Sequence, residues 1–145
     1  MKDVMIQIRA TQSGEDPREE NEIAEFSTEG QLECLDGVGT LTYPESELTG
    51  MEGTITTIAF TPQGAVLTRQ GNVMGEMVFS PGERNTFLYE TPYGSSTVGL
   101  ETQTFVSTLT ERGGTLEIDY VIDFDHAFVG LNRMRITVTE KKEYC

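Results

Sequence analysis

Residues able to do chemistry are sparse: the 145-residue chain carries one histidine and two cysteines. His126 sits with Asp123, Asp125 and Phe128 between two alternating runs, where a hairpin tip is expected. A tip offers no pocket to orient or tune a general base, so an exposed turn histidine is expected there. With no second histidine and no close cysteine pair, the usual zinc ligand sets are not met. No nucleophile elbow, Gly-rich phosphate loop or dinucleotide fingerprint occurs, and Gly37-Val38-Gly39 reads as a strand-turn feature. Among 24 acidic residues, accidental carboxylate pairs are expected. Glu45, Glu47 and Glu52 could supply such a pair for glycoside hydrolysis, yet the sequence has no Trp to serve as a sugar platform. The same acids lack the spacing of a calcium loop. The sequence predicts a protein that is not an enzyme and uses no cofactor or metal.

The most distinctive local text is RNTFLYETPYG, Arg84 to Gly94. On a strand, Phe87, Tyr89 and Thr91 share one face, and Pro92-Tyr93-Gly94 then turns the chain. An inward tyrosine offers an apolar body with a polar tip, which suits a core position or a ligand contact. A packed aromatic hairpin is the plainer reading. The functional reading makes Met51, Arg84, Tyr89, Thr91 and Tyr93 the candidate contacts to a ligand inside the fold.

Composition narrows the partners. The formal net charge is −14 with a pI near 4.3. Such a surface repels phosphate backbones and anionic lipid, so neither nucleic acid nor membrane is an expected partner. Solubility is the plain purpose of this charge, with a basic partner as the alternative. The opening MKDVMIQIRA contains no apolar run of signal-peptide length, and no stretch approaches a membrane span. Cys34 and Cys145 are too few for a disulfide framework and read as free thiols, which points to the cytoplasm.

The elements that must position any site are strands. Ala24, Phe26, Thr28, Gly30, Leu32 and Cys34 alternate with Glu25, Ser27, Glu29, Gln31 and Glu33, giving one wet, acidic face. Leu116, Ile118, Tyr120, Ile122 and Phe124 alternate with acids, and Met134, Ile136 and Val138 alternate with Arg133, Arg135 and Thr137. Shorter runs lie at Val4 to Ile8, Ile55 to Phe60 and Thr86 to Tyr89. Turn signals at Asp36-Gly37, Pro62-Gln63-Gly64, Gly71-Asn72, Pro81-Gly82 and Gly113-Gly114 punctuate them. Gly30 marks a bend or bulge. Between Val98 and Leu109 the phase changes, so either a bulge at Glu101 to Gln103 shifts the register or a threonine row faces inward. Pro44 to Met51 allows one helical turn. The polar run Gln12 to Asn21 reads as an exposed loop or a splayed hairpin tip. Nine or ten strands in one domain, residues 1–145, favour an all-β antiparallel barrel of about 8–10 strands over a sandwich, because closure removes exposed edges.

Three stretches carry a resemblance: LTYPESELTGMEGTITTIAF (Leu41 to Phe60), FLYETPYG (Phe87 to Gly94) and the closing GGTLEIDYVIDF…VGLNRMRITV. Together they resemble the YwiB-like family of bacterial proteins, a domain of unknown function. The resemblance implies a small cytoplasmic barrel of calycin type, distantly like lipocalins and fatty-acid-binding proteins in architecture. It implies no activity and no ligand, so no residue role is carried over. Two expectations of different class follow. The first is a binding module holding a small molecule inside the barrel. The second is an interaction or structural protein, including a homo-oligomer, with a packed interior. Whether the barrel is hollow divides them.

Overall fold

A computed structural model describes residues 2–13, 20–45, 51–124 and 127–141. The expected helical turn, His126, Glu47 and Cys145 fall at least partly outside those residues, as does most of the polar run at Gln12 to Asn21. Ten strands account for nearly all the rest: β1 Lys2–Ser13, β2 Glu20–Leu35, β3 Val38–Pro44, β4 Thr54–Phe60, β5 Ala65–Gly71, β6 Gly75–Phe79, β7 Arg84–Thr91, β8 Gly94–Ser107, β9 Gly113–Phe124 and β10 Ala127–Glu140. The described residues contain no helix.

All ten strands form one antiparallel sheet in the order β6-β5-β4-β3-β2-β1-β10-β9-β8-β7. The sheet curls until its two edge strands meet, giving a nearly closed, calycin-like barrel. Closure rests on little. Met74 and Glu90 form one antiparallel bridge, exchanging two backbone hydrogen bonds of 2.8 Å. Below it, Gly82 N–H donates to Thr102 C=O at 3.0 Å.

Alternation explains why the sheet curls with this face inward. Val4, Ile6 and Ile8 of β1, Leu41 of β3, Ile58 and Phe60 of β4, and Leu116, Ile118 and Ile136 of β9 and β10 are all buried. Their neighbours in the other phase are mostly polar and more exposed, as period two requires. At about 25 cal/mol per Å2 of apolar surface, each such side chain contributes roughly 1.5–3 kcal/mol. The β2–β3 hairpin closes through Asp36 and Gly37 at φ 53° and 79°. Two positive φ values suit a two-residue loop whose twist matches that of the strands, hence the Asp-Gly pair.

The break of period in β8 is a bulge. Thr102 pairs with Tyr120 and Thr104 with Asp119, leaving Gln103 as the extra residue. Val98, Leu100 and Thr102 face inward before it; Phe105 packs on the core after it. At Gly30 the bulge half of the expectation is corrected. No register shift occurs there, since Val4↔Gly30 and Met5↔Glu29 are consecutive pairs, and the β1–β2 bulge lies at Ala10/Thr11 instead. Gly30 marks a close approach: a Cβ at that position would lie 2.5 Å from both Ile6 Cδ1 and the Thr42 carbonyl oxygen.

Candidate ligand cavity

The barrel interior is not filled throughout. Inward positions spaced two apart near the strand ends leave a cavity of about 300 Å3. Leu67 and Arg69 reach it from β5, Met77 and Phe79 from β6, Phe87 and Tyr89 from β7. Val98, Tyr120, Ile122, Met134 and Gln12 complete the wall from β8, β9, β10 and β1. Phe79 and Tyr120 meet edge to face, with ring centroids 5.1 Å apart and planes at 64°. That geometry fixes the ring that carries the Tyr120 hydroxyl.

Three kinds of polar donor enter this apolar wall: the Arg69 guanidinium, the tyrosine hydroxyls and the Gln12 amide. Burial pushes the Tyr120 hydroxyl above its ordinary titration range, and the nearby Arg69 charge opposes this. Behind Arg69 lies a buried polar corner. Thr56 Oγ1 donates to Glu45 Oε1 at 2.6 Å, and the same carboxylate oxygen is 4.0 Å from Arg69 Nε. Tyr43 borders this corner. Its hydroxyl is also pushed up, first by burial and then by the Glu45 charge. Only 1% of the Glu45 side chain is accessible, against 17% for Arg69. The inward phase that produces Leu41 and Tyr43 on β3 continues to Glu45, and that of Ala65 and Leu67 on β5 continues to Arg69.

Of the residues singled out from sequence, Tyr89 lines the cavity and Met51, Arg84, Thr91 and Tyr93 are not in its wall. Tyr93 is 99% exposed. Thr91 is used by its own turn, its Oγ1 accepting from Tyr93 N–H at 3.1 Å. Arg84 lies on the outer face and clasps Asp123 through Nε and Nη2 at 3.2 and 2.8 Å, and that hydrogen-bonding raises its already high pKa. Met51 is half-buried at the foot of the turn into β4, where its carbonyl accepts from Thr54 N–H at 3.1 Å. The carboxylates grouped from sequence also part company, for Glu45 is buried while Glu52 is exposed.

A larger concavity, about 560 Å3, lies on the outside of β1, β8, β9 and β10. Its floor is a ladder of charges in which Arg133 meets Asp119 at 2.9 Å and Arg135 meets Glu117 at 3.3 Å. Acids and bases already answer each other there, and the surface is a wet outer face of the sheet. The interior cavity is the better candidate, because apolar walls with a few converging polar groups are what small-molecule sites require.

Comparison with known proteins agrees with this architecture. A family model described as "Domain of unknown function (DUF1934)" matches residues 6–136. The crystal structure of the ywiB protein from Bacillus subtilis superposes with a TM-score of 0.83 at 19% identity, covering 97% of this chain and 93% of that one. A search of curated proteins finds no match.

Proposed function

Because the chain belongs to the family described as Domain of unknown function (DUF1934), whose description names no reaction, we propose from the cavity itself that the protein is a binding module, not an enzyme, for a small, largely apolar molecule. The observation that carries this reading is the hollow in the barrel, about 300 Å3 with seven apolar side chains among its eleven lining residues. That volume meets the lower bound for small-molecule sites. It would hold about ten water-sized groups. Binding is favoured over catalysis because the wall offers donors without a nucleophile beside a base. An interaction surface has less behind it: the large exposed apolar side chains are spread over the β2–β3, β5–β6 and β7–β8 turns and over β4, β7 and β8. Half-buried Cys34 is a free thiol, and we place this activity in the cytoplasm, where thiols stay reduced.

The test uses N-phenyl-1-naphthylamine, an uncharged probe that fluoresces in apolar surroundings. The native protein should enhance its emission saturably. Val98 is 3% exposed and lines the cavity, so Val98→Phe fills part of the space and should weaken the probe at least tenfold. Leu35→Ser, on the exposed β2–β3 turn, should leave it unchanged. Equal affinity in the native protein and a folded Val98→Phe variant sinks the reading.

A further inference from the structure

We infer, resting on the binding function above, that the ligand's polar end is an uncharged acceptor, an ester or ketone oxygen, and not a carboxylate. The need for an acceptor comes from Arg69. Among the described residues its Nε is buried with no hydrogen-bond partner. Its Nη1 meets the Met77 thioether sulfur at 3.6 Å, and thioethers accept weakly. Arginine has five donors and no acceptor, so a molecule completing this wall must bring oxygen lone pairs. Tyr120 lines the same cavity beside Arg69 and offers one further donor.

The sign of the ligand comes from Glu45. Its carboxylate lies 4.0 Å from Nε and is almost wholly enclosed, held by Thr56. The guanidinium charge therefore already has its counter-charge inside the barrel. The other buried polar side chains facing the interior, including Thr54, Thr56, Thr102 and Asn132, are neutral. A ligand carboxylate would be a second anion at one guanidinium, in a region where charges are poorly screened. A neutral oxygen satisfies the same donors and leaves the charges of Arg69 and Glu45 balanced. The −14 charge of the whole chain acts in the same direction.

The experiment is competition against N-phenyl-1-naphthylamine at pH 7.5 with methyl octanoate and with octanoate, on the native protein and on Glu45→Gln. On the native protein the ester should displace the probe at a concentration at least tenfold below that of octanoate. An apolar pocket of any design favours the ester, so Glu45→Gln carries the discrimination. Removing that charge leaves Arg69 uncompensated, and octanoate should then compete at least tenfold better while the ester changes less than threefold. Octanoate equal to the ester on the native protein overturns the inference without any variant. So does octanoate unmoved by Glu45→Gln in a variant that still binds the probe. Loss of the binding function itself is seen separately, as a probe that does not bind the native protein or ignores Val98→Phe.

Discussion

Gly30→Ala isolates one contact in the middle of the sheet. The added Cβ would meet the Thr42 carbonyl oxygen and Ile6 Cδ1 at 2.5 Å, and Tyr43 Cβ at 3.1 Å. Ile6 is fully buried, and the Thr42 oxygen is backbone in β3, so neither yields freely. Overpacking of this kind costs about 1–3 kcal/mol. The stiffer unfolded chain returns about 0.4–1 kcal/mol. A net loss of about 1–2 kcal/mol remains. With an unfolding entropy of about 2.1 cal/mol/K per residue, 145 residues lose about 3 °C per kcal/mol. Calorimetry should therefore show a Tm lower by about 3–7 °C. The contact to Ile6 adds a second readout. Ile6→Val removes Cδ1 and alone costs about 0.5–1.5 kcal/mol, yet in the Gly30→Ala background it should cost close to nothing. A Gly30→Ala protein melting within 1 °C of the native one would refute the close approach and restore a bulge, which has room for a methyl group.

Two further outcomes follow from single side chains. Among the described residues Thr102 Oγ1 is buried without a partner, so Thr102→Val keeps the shape, removes a desolvated hydroxyl and should raise Tm by about 3 °C, for about 1 kcal/mol; a lower Tm in the same melt contradicts it. Glu140 hydrogen-bonds Lys2 Nζ at 2.8 Å, which holds its carboxyl below the ordinary value. Its contribution is present above the unfolded-state pKa and fades as pH falls through the lower folded value. Carboxyl NMR of Lys2→Met should show Glu140 titrating back at a higher pH, and an unmoved titration contradicts the assignment.

Much of the fold is legible because period two is a direct imprint of a two-sided sheet. The β8 bulge was legible for the same reason, since Val98 and Phe105 cannot share a face without an extra residue. At Gly30 the same logic fails, because a missing side chain looks alike whether the backbone bulges or a neighbour comes close. The cavity was harder to read. Periodicity tells which face Arg69 and Glu45 occupy, and both continue an apolar inward phase, a signal present in the sequence. It does not tell which barrel end each strand terminus reaches, and that is set by register across all ten strands. Tyr89 reached the cavity because it lies within β7. Thr91, the last residue of β7, spends its hydroxyl on the turn that follows, and Tyr93 lies in that turn.

The strand order has a consequence for the chain as it is made. Strands β1 to β6 pair with their sequence neighbours, as do β7 to β10, and apart from the short closing bridge at Met74 and Glu90 the two runs join where β1 meets β10. The first residue of β10, Ala127, lies more than a hundred positions after Ser13, the last of β1. At about 5–20 residues per second, the outer edge of β1 waits roughly ten seconds for its partner. During that interval it is an unpaired strand holding Val4, Ile6 and Ile8, the kind of edge that recruits other chains. Lys2 opens the strand, and Asp3, Gln7 and Arg9 stand in the phase opposite to those apolar residues. In the finished barrel these polar side chains sit at its exposed surface; in the nascent one they guard the edge.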